Sequence, residues 1–219
     1  MSTPPQTGSS WRSRQKTVGQ ALREDTRNRL LRAAQEEFPV HGYAGTTVTR
    51  LAATAGVSVQ TLYLAWGSKR ALLRGYMENA LSGDAASPED AARRFTGLSP
   101  RDRLAELAAL VTEIAERAAT GWSLYRDASA VDPEIAADWN ELQLLRHRLI
   151  TRILSDIPAS ALAEGLTSTS AADTAWAIAS PESYDLLVRR LGYQLGEFHD
   201  WVERTLVTAI LADQDEQSC

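Results

Sequence analysis

Apolar residues recur three or four positions apart along almost the whole chain, and that spacing is a helix's. Leu30, Ala34 and Phe38 open the pattern, and Leu104, Leu107, Ala108, Val111, Ile114 and Ala115 continue it. Strand signals are nearly missing: there are no alternating Val, Ile and Thr runs and no Asn-Gly or Asp-Gly hairpin turns. The chain is therefore expected to be all-α. Its 219 residues suffice to bury a core without staples, either as one large domain or as a small one followed by a larger one.

Helix punctuation divides the chain. The spacing predicts a first helix over about 25–41, stopped by Gly42 and tightened or bent near its end by Pro39. Two short helices follow at about 47–54 and 58–64, around Ala55-Gly56-Val57, and another runs over about 69–81. The stretch 82–97 is small, polar and interrupted by Pro88, so it reads as a loop or a loose turn. Ser99-Pro100-Arg101-Asp102 is a strong start: a cap, a proline suited to the first position, and an acid in the first turn. That helix is expected to reach about residue 119, with a shorter one at 121–129. Asp132-Pro133-Glu134 repeats the signal and opens a helix to about 156. Two last helices are expected near 171–191 and 195–212, separated or kinked around 192–196. There is no internal repeat. The expected organisation is a flexible arm over 1–20, a small helical domain over 21–70 and a larger helical domain over 71–219.

Charge separates the same regions. Residues 1–70 hold ten Lys and Arg against four Asp and Glu, a net +6, whereas residues 71–219 hold 13 against 24, a net −11. A basic head on an acidic body is expected where only the head meets a polyanion. Cys219 is the only cysteine, so no intrachain disulfide or cysteine-based zinc site can form. Residues 1–10 are rich in Ser, Thr and Pro without an apolar run, and no stretch approaches a membrane span. A cytoplasmic protein without metal or other cofactor is the expectation.

The most informative segment runs from Thr46 to Tyr63. Val48, Leu51 and Ala52 give the first short helix an apolar face. Gly56 stands where the chain must reverse, a place for a left-handed residue. Val57 can plug the angle between the two helices, Ser58 can cap the second, and Leu62 returns to the core. Val59, Gln60, Thr61 and Tyr63 are left facing outward. A short exposed helix bearing such residues suits the major groove of DNA.

These residues resemble the tetracycline-repressor (TetR) family of bacterial regulators. The resemblance starts at Arg29-Leu30-Leu31-Arg32-Ala33-Ala34 and passes through Phe38, His41-Gly42-Tyr43, Thr46-Thr47-Val48, Leu51-Ala52 and Ala55-Gly56-Val57-Ser58. It ends with Thr61-Leu62-Tyr63, Ser68-Lys69 and Leu72-Leu73. Trp66 stands in place of the usual Phe, Gln60 in place of a common Gly, and Pro39 interrupts the first helix. The resemblance implies a three-helix helix-turn-helix domain followed by a helical ligand-binding and dimerisation domain. It implies that Thr46 and Thr47 cap the first short helix and meet phosphate, that Tyr63 and Lys69 touch the DNA backbone, and that Val59, Gln60 and Thr61 approach base edges. Ser58 belongs to the same DNA-facing set. By its chemistry Gln60 can pair bidentately with adenine, and Val59 or the Thr61 methyl can pack on a thymine methyl. Arg50 is a candidate phosphate contact, and Arg12, Arg14 and Lys16 are candidates for an arm along the backbone or minor groove.

Resemblance weakens after residue 80. The last two helices still follow the family's pattern, in which they pair with those of a second subunit. Tyr184, Leu187, Leu191, Phe198, Trp201, Leu206 and Ile210, with Trp176, Ile178 and Val207, offer more apolar area than one helix pair needs. Trp122, Tyr125, Trp139, Leu142 and Leu145 are candidate walls of an effector pocket, and Arg146 or His147 could meet a polar group of the ligand. The expected partners are a palindromic double-stranded DNA operator, a small-molecule effector and a second copy of the chain, with no membrane partner. Two rivals remain: a helical enzyme and a non-specific architectural DNA protein. Against the first, there is no Gly-rich phosphate loop, no Cys/His cluster and no nucleophile motif near His41, His147 or His199. Against the second stands the −11 body.

Overall fold

A computed structural model describes residues 10–82 and 93–212, with side chains from residue 20 onward. The chain divides into two compact units, Met1–Tyr76 and Met77–Cys219. The division falls inside the helix Lys69–Ser82, as does the boundary at 70 expected from the sequence.

The first unit begins with α1, Ser10–Gly45, interrupted at Gly42 by a left-handed backbone with φ of 65°. The arm expected over 1–20 is thus helical from Ser10 onward, and residues 1–9 lie outside the described part. The early turns hold together through local bonds, Gln20 Nε2 to Glu24 at 3.3 Å and Thr26 Oγ1 to the Leu22 carbonyl at 2.9 Å. Pro39 stays within the helix although it offers no N–H to the carbonyl of Gln35, four residues earlier. α2, Val48–Thr54, and α3, Val59–Trp66, pack on α1 and on each other, and α4 is Lys69–Ser82. Leu30, Ala34, Phe38, Leu51, Leu62 and Leu72 are its core, each fully buried.

Trp66 and Gly75 are matched. A helix-interior glycine costs about 1 kcal/mol relative to alanine, so Gly75 in α4 needs a reason. A Cβ on it would lie 2.3 Å from Trp66 Cη2 and Cζ3. The indole, larger than the usual phenyl ring, occupies the space that a side chain at 75 would take. The ring also carries the Arg27 guanidinium at 4.0 Å, and its Nε1 donates to the Arg27 carbonyl at 3.4 Å.

The second unit is also helical. α5, Pro100–Ser129, starts at Ser99 and Pro100 as expected but is continuous, with the expected break at 119–121 missing. Gly121 is buried in its interior, where packing along the helix overrides weak local propensity. α6, Pro133–Leu154, is capped by Asp132. α7 is Ser168–Ile178, and α8 begins at Pro181–Tyr184 and widens into a π-helical turn over Asp185–Arg190. The single helix expected over 171–191 is therefore two, because Ser180 caps Ser183 and Pro181 takes the first position of a new helix. The widened turn gathers Arg126, Arg189 and Arg190 around the Asp185 carboxylate at 3.4–3.6 Å. α9, Leu195–Ile210, closes the unit; beyond it the backbones of Ala161–Ala163 and Ile210–Ala212 exchange two hydrogen bonds.

The core of this unit joins Leu104, Leu107, Ile150, Phe198, Val202 and Leu206. Arg103, 4% exposed, crosses from α5 to the end of α6, donating to the Ile153 carbonyl at 3.1 Å and meeting Asp156 at 3.2 Å. Before α5, Arg94 grips Glu113 with two hydrogen bonds of 2.9 and 3.0 Å and also pairs with Glu106. The hydrogen bonds from Arg94 hold the Glu113 carboxyl below the usual carboxylate range. A depressed acid stabilises the fold above its unfolded pKa and loses that contribution as pH falls through its folded one.

Two outcomes are expected on denaturation. Gly75→Ala lowers stability by about 1–3 kcal/mol, and adding Trp66→Phe, which removes the outer ring, recovers most of the loss in a double-mutant cycle. Glu113→Gln costs up to about 1 kcal/mol at neutral pH because the pair is half exposed, and the difference from wild type fades as pH falls below the carboxylate range.

Candidate nucleic-acid interface and cavity

The helix-turn-helix is assembled from the turn outward. Gly56 adopts φ of 63° between α2 and α3, a conformation costing about 1–2 kcal/mol for a residue with a Cβ. Arg29 of α1 reaches this turn and donates through Nη2 to the carbonyls of Ala55 (2.6 Å) and Gly56 (2.8 Å). Those carbonyls lie at the end of α2, where a cation is favoured. A Cβ on Gly56 would stand 2.9 Å from the same Nη2, so the glycine serves backbone conformation and close approach together.

Side-chain caps set both short helices. Thr47 accepts from the Arg50 amide at 3.1 Å, and Ser58 accepts from the Thr61 amide at 3.0 Å. Glu37 of α1 takes the Thr54 hydroxyl at 2.6 Å and faces Arg50 at 3.6 Å and His41 at 3.4 Å, fastening α2 to α1.

Most of the residues expected to face DNA are on the surface. Thr47, Arg50, Ser58, Gln60 and Tyr63 are exposed, while Val59 and Thr61 are half buried. Leu64, beside Tyr63, is also 82% exposed, although it was not among the residues expected to face outward. One expectation needs correction. Thr46 is fully buried: its hydroxyl donates to the Gly42 carbonyl at 2.7 Å, and it closes the break after α1 instead of meeting phosphate. Lys69 points its Nζ at the carbonyls of Tyr43 (2.8 Å) and Thr46 (3.0 Å) and lies 4.0 Å over the Tyr43 ring. Its ammonium locks the start of α4 to the α1–α2 connection. Arg12, Arg14 and Lys16 fall within α1, but their side chains lie outside the described part.

The second unit contains a cavity of about 130 Å³ walled by α5 and α6 and closed by Ala179–Pro181. Of the expected walls, Trp122, Leu142, Leu145 and Arg146 line it. Tyr125, Trp139 and His147 do not. Tyr125 is fully buried in the core, Trp139 packs edge-on against Trp122 from outside the cavity, and His147 bonds Asp173 at 2.7 Å. Leu107, Leu110, Val111, Ile114, Ile150 and Ile153 are among the further wall residues, and helical spacing alone does not tell such residues from ordinary core. Leu145 and Leu149 line the cavity while 42% and 52% exposed, so that side is open to solvent. Among the described residues, no group of three His, Cys, Asp or Glu could hold a metal ion. No described helix is long and apolar enough to cross a membrane.

The residues expected at a subunit interface are mostly spent inside the chain. Phe198, Leu206 and Ile210 are fully buried and Tyr184 nearly so, with its ring edge-on to Phe198 at 5.3 Å. They cannot face a second copy. Leu187 and Trp201 are half buried against the same core, and Leu191 is 69% exposed.

Comparison with known proteins agrees with this architecture. The sequence model of "Bacterial regulatory proteins, tetR family" matches residues 30–76, which contain α2 and α3 with their flanking supports. No curated protein sequence matches the chain. Among solved structures, NalD, the secondary repressor of the MexAB-OprM multidrug efflux pump in Pseudomonas aeruginosa, shares 18% identity over 87% of this chain and 98% of its own, with a TM-score of 0.67. FadR from Bacillus subtilis, solved in complex with stearoyl-CoA, shares 20% identity over 83% and 98%, with a TM-score of 0.62. A TetR-like transcriptional regulator from Rhodococcus sp. RHA1 shares 23% identity over 85% and 94%, with a TM-score of 0.57. At these identities the likeness is one of fold.

The turn predicts its own sensitivity. Gly56→Ala is expected to destabilise the first unit by about 1–2 kcal/mol, and Arg29→Ala by about 1–3 kcal/mol through the orphaned carbonyls; urea unfolding followed by circular dichroism measures both. Residues 30–76 are thus similar to the tetR family of bacterial regulatory proteins, and the described residues take the all-helical fold of these solved regulators.

Proposed function

We propose that the chain is a sequence-specific DNA-binding transcriptional regulator, a repressor released from a palindromic operator when a small molecule enters the cavity of its second unit. The observation that carries this reading is the exposed face of α3, where Gln60 and Tyr63 stand clear of a rigidly held turn in the basic part of the chain. Gln60 offers the donor and acceptor that adenine's major-groove edge requires, and Thr47, Arg50 and Tyr63 flank it with groups for phosphate.

A palindrome is read by two copies. Two α3 helices must stand about 34–36 Å apart, or a multiple of one helical turn, to enter successive major grooves. The last two helices are the proposed dimer contact, made by the surface left around Leu187, Leu191 and Trp201 once the buried residues are excluded. The effector acts by binding better to the arrangement that does not fit DNA, since only such a difference shifts the equilibrium. The working place of such a regulator is the cytoplasm, and its action is binding without turnover.

Fluorescence anisotropy with DNA selected from a random pool tests the reading. Specific binding is expected at a palindrome. Gln60→Ala should lose about 5- to 100-fold on that site, mainly at one base position. Arg50→Ala should weaken all sequences alike and reduce the salt slope by about one. Equal affinity for every sequence would contradict the proposal.

A further inference from the structure

No large apolar side chain among the described residues is more exposed than Leu64, at 82%. It stands on α3, the helix presented by the Arg29-held turn, and its neighbours there divide sharply. Leu62 is fully buried, and Trp66 packs on Gly75 of α4 and on Arg27. Gln60 and Tyr63 are exposed. Gln60 and Leu64 are four residues apart, so one turn of helix puts them on the same face, with about 5–6 Å between their Cβ atoms. Single exposed leucines are common on protein surfaces and call for no explanation by themselves. This one shares the outer face of a helix-turn-helix with a residue whose amide suits the adenine edge.

The chemistry of the groove decides what such a side chain can select. Base edges in the major groove offer hydrogen-bond donors and acceptors, and their one methyl group is that of thymine, on C5. A leucine makes no hydrogen bond with any of them. Against the polar edge of another base it would strip water from donors and acceptors without replacing it. Against the thymine methyl it removes apolar surface of both partners from water. Val59 and the Thr61 methyl, the candidates for that contact in the sequence, are less free. Both residues are half buried, and the Thr61 hydroxyl lies 2.8 Å from that of Ser58, whose oxygen also accepts the Thr61 amide at 3.0 Å.

We infer that Leu64 is a specificity-determining residue of the DNA interface, selecting one thymine in each half-site through its C5-methyl group. Base pairs follow one another about every 3.4 Å. One turn of α3 therefore places that thymine within about two base pairs of the position that Gln60 reads. The inference rests on the reading of α3 as the helix that enters the major groove.

Uracil is thymine without that methyl group, so it tests the contact directly. The duplex is the palindrome selected from a random pool, with each thymine replaced in turn by uracil in both half-sites at once. Fluorescence anisotropy of the full chain should find one position, within about two base pairs of the one sensitive to Gln60→Ala, where the exchange weakens binding about 3- to 20-fold. Leu64→Ala should lose a similar factor on the thymine duplex and should bind the thymine and uracil duplexes alike. Leu64→Met, apolar and of similar size, should keep part of the preference. Because Leu64 lies outside the core, both variants should melt with the wild type. Wild-type binding indifferent to every exchange, a selected site with no thymine in that range, or a uracil loss undiminished in Leu64→Ala overturns the inference. In each of those cases the palindrome is still bound specifically, and the regulator reading stands. Equal affinity for every DNA sequence sinks that reading, and the role of Leu64 with it.

Discussion

The Arg29 guanidinium on the carbonyls of Ala55 and Gly56 is the contact on which the helix-turn-helix of the first unit depends. It is a charge-assisted pair of bonds made where α2 ends and where its last carbonyls lack helical partners. It fixes the reversal of the chain to the long α1, and the reversal fixes α3. The caps at Thr47 and Ser58, the Glu37 contacts and the Lys69 ammonium all act on the same few residues from other sides. The result is a short helix whose outer residues are released from packing. A helix of eight residues has little stability of its own, so this support is what presents Gln60 and Tyr63 in a definite pose.

The second unit uses arginine differently. Arg103 and Arg94 are balanced by nearby carboxylates, and three arginines share Asp185. Arg146 alone among these is fastened by carbonyls and an amide, over the Trp176 ring. Carbonyls hold a guanidinium in place without cancelling its charge.

Local signals explain what was legible in the sequence. Thr47, Ser58, Ser99-Pro100 and Asp132-Pro133 cap where their chemistry says they should, and Gly42 and Gly56 have the left-handed backbones their positions suggest. Ser180-Pro181 carries the same start signal, but the apolar spacing running through it hides the break. Side-chain destination was harder to read. Thr46 and Lys69 are polar residues beside an exposed helix, yet both turn inward to satisfy carbonyls freed where α1 breaks. That demand exists only in three dimensions. Phe198, Leu206 and Ile210 show the converse: an amphipathic stripe says that a face is buried and cannot say whether its own chain or a second copy covers it. The cavity was half legible for the same reason, since a leucine lining a space and a leucine filling one have the same spacing.

The central claim is that α2 and α3, presented by the Arg29-held turn, form the DNA-contacting surface of the protein. Amide hydrogen exchange over the whole chain, with and without its selected DNA duplex, tests it most directly. The account predicts that protection on binding concentrates in residues 47–64, with little direct change in α9. Protection centred on α5–α9, with residues 47–64 unchanged, would contradict it.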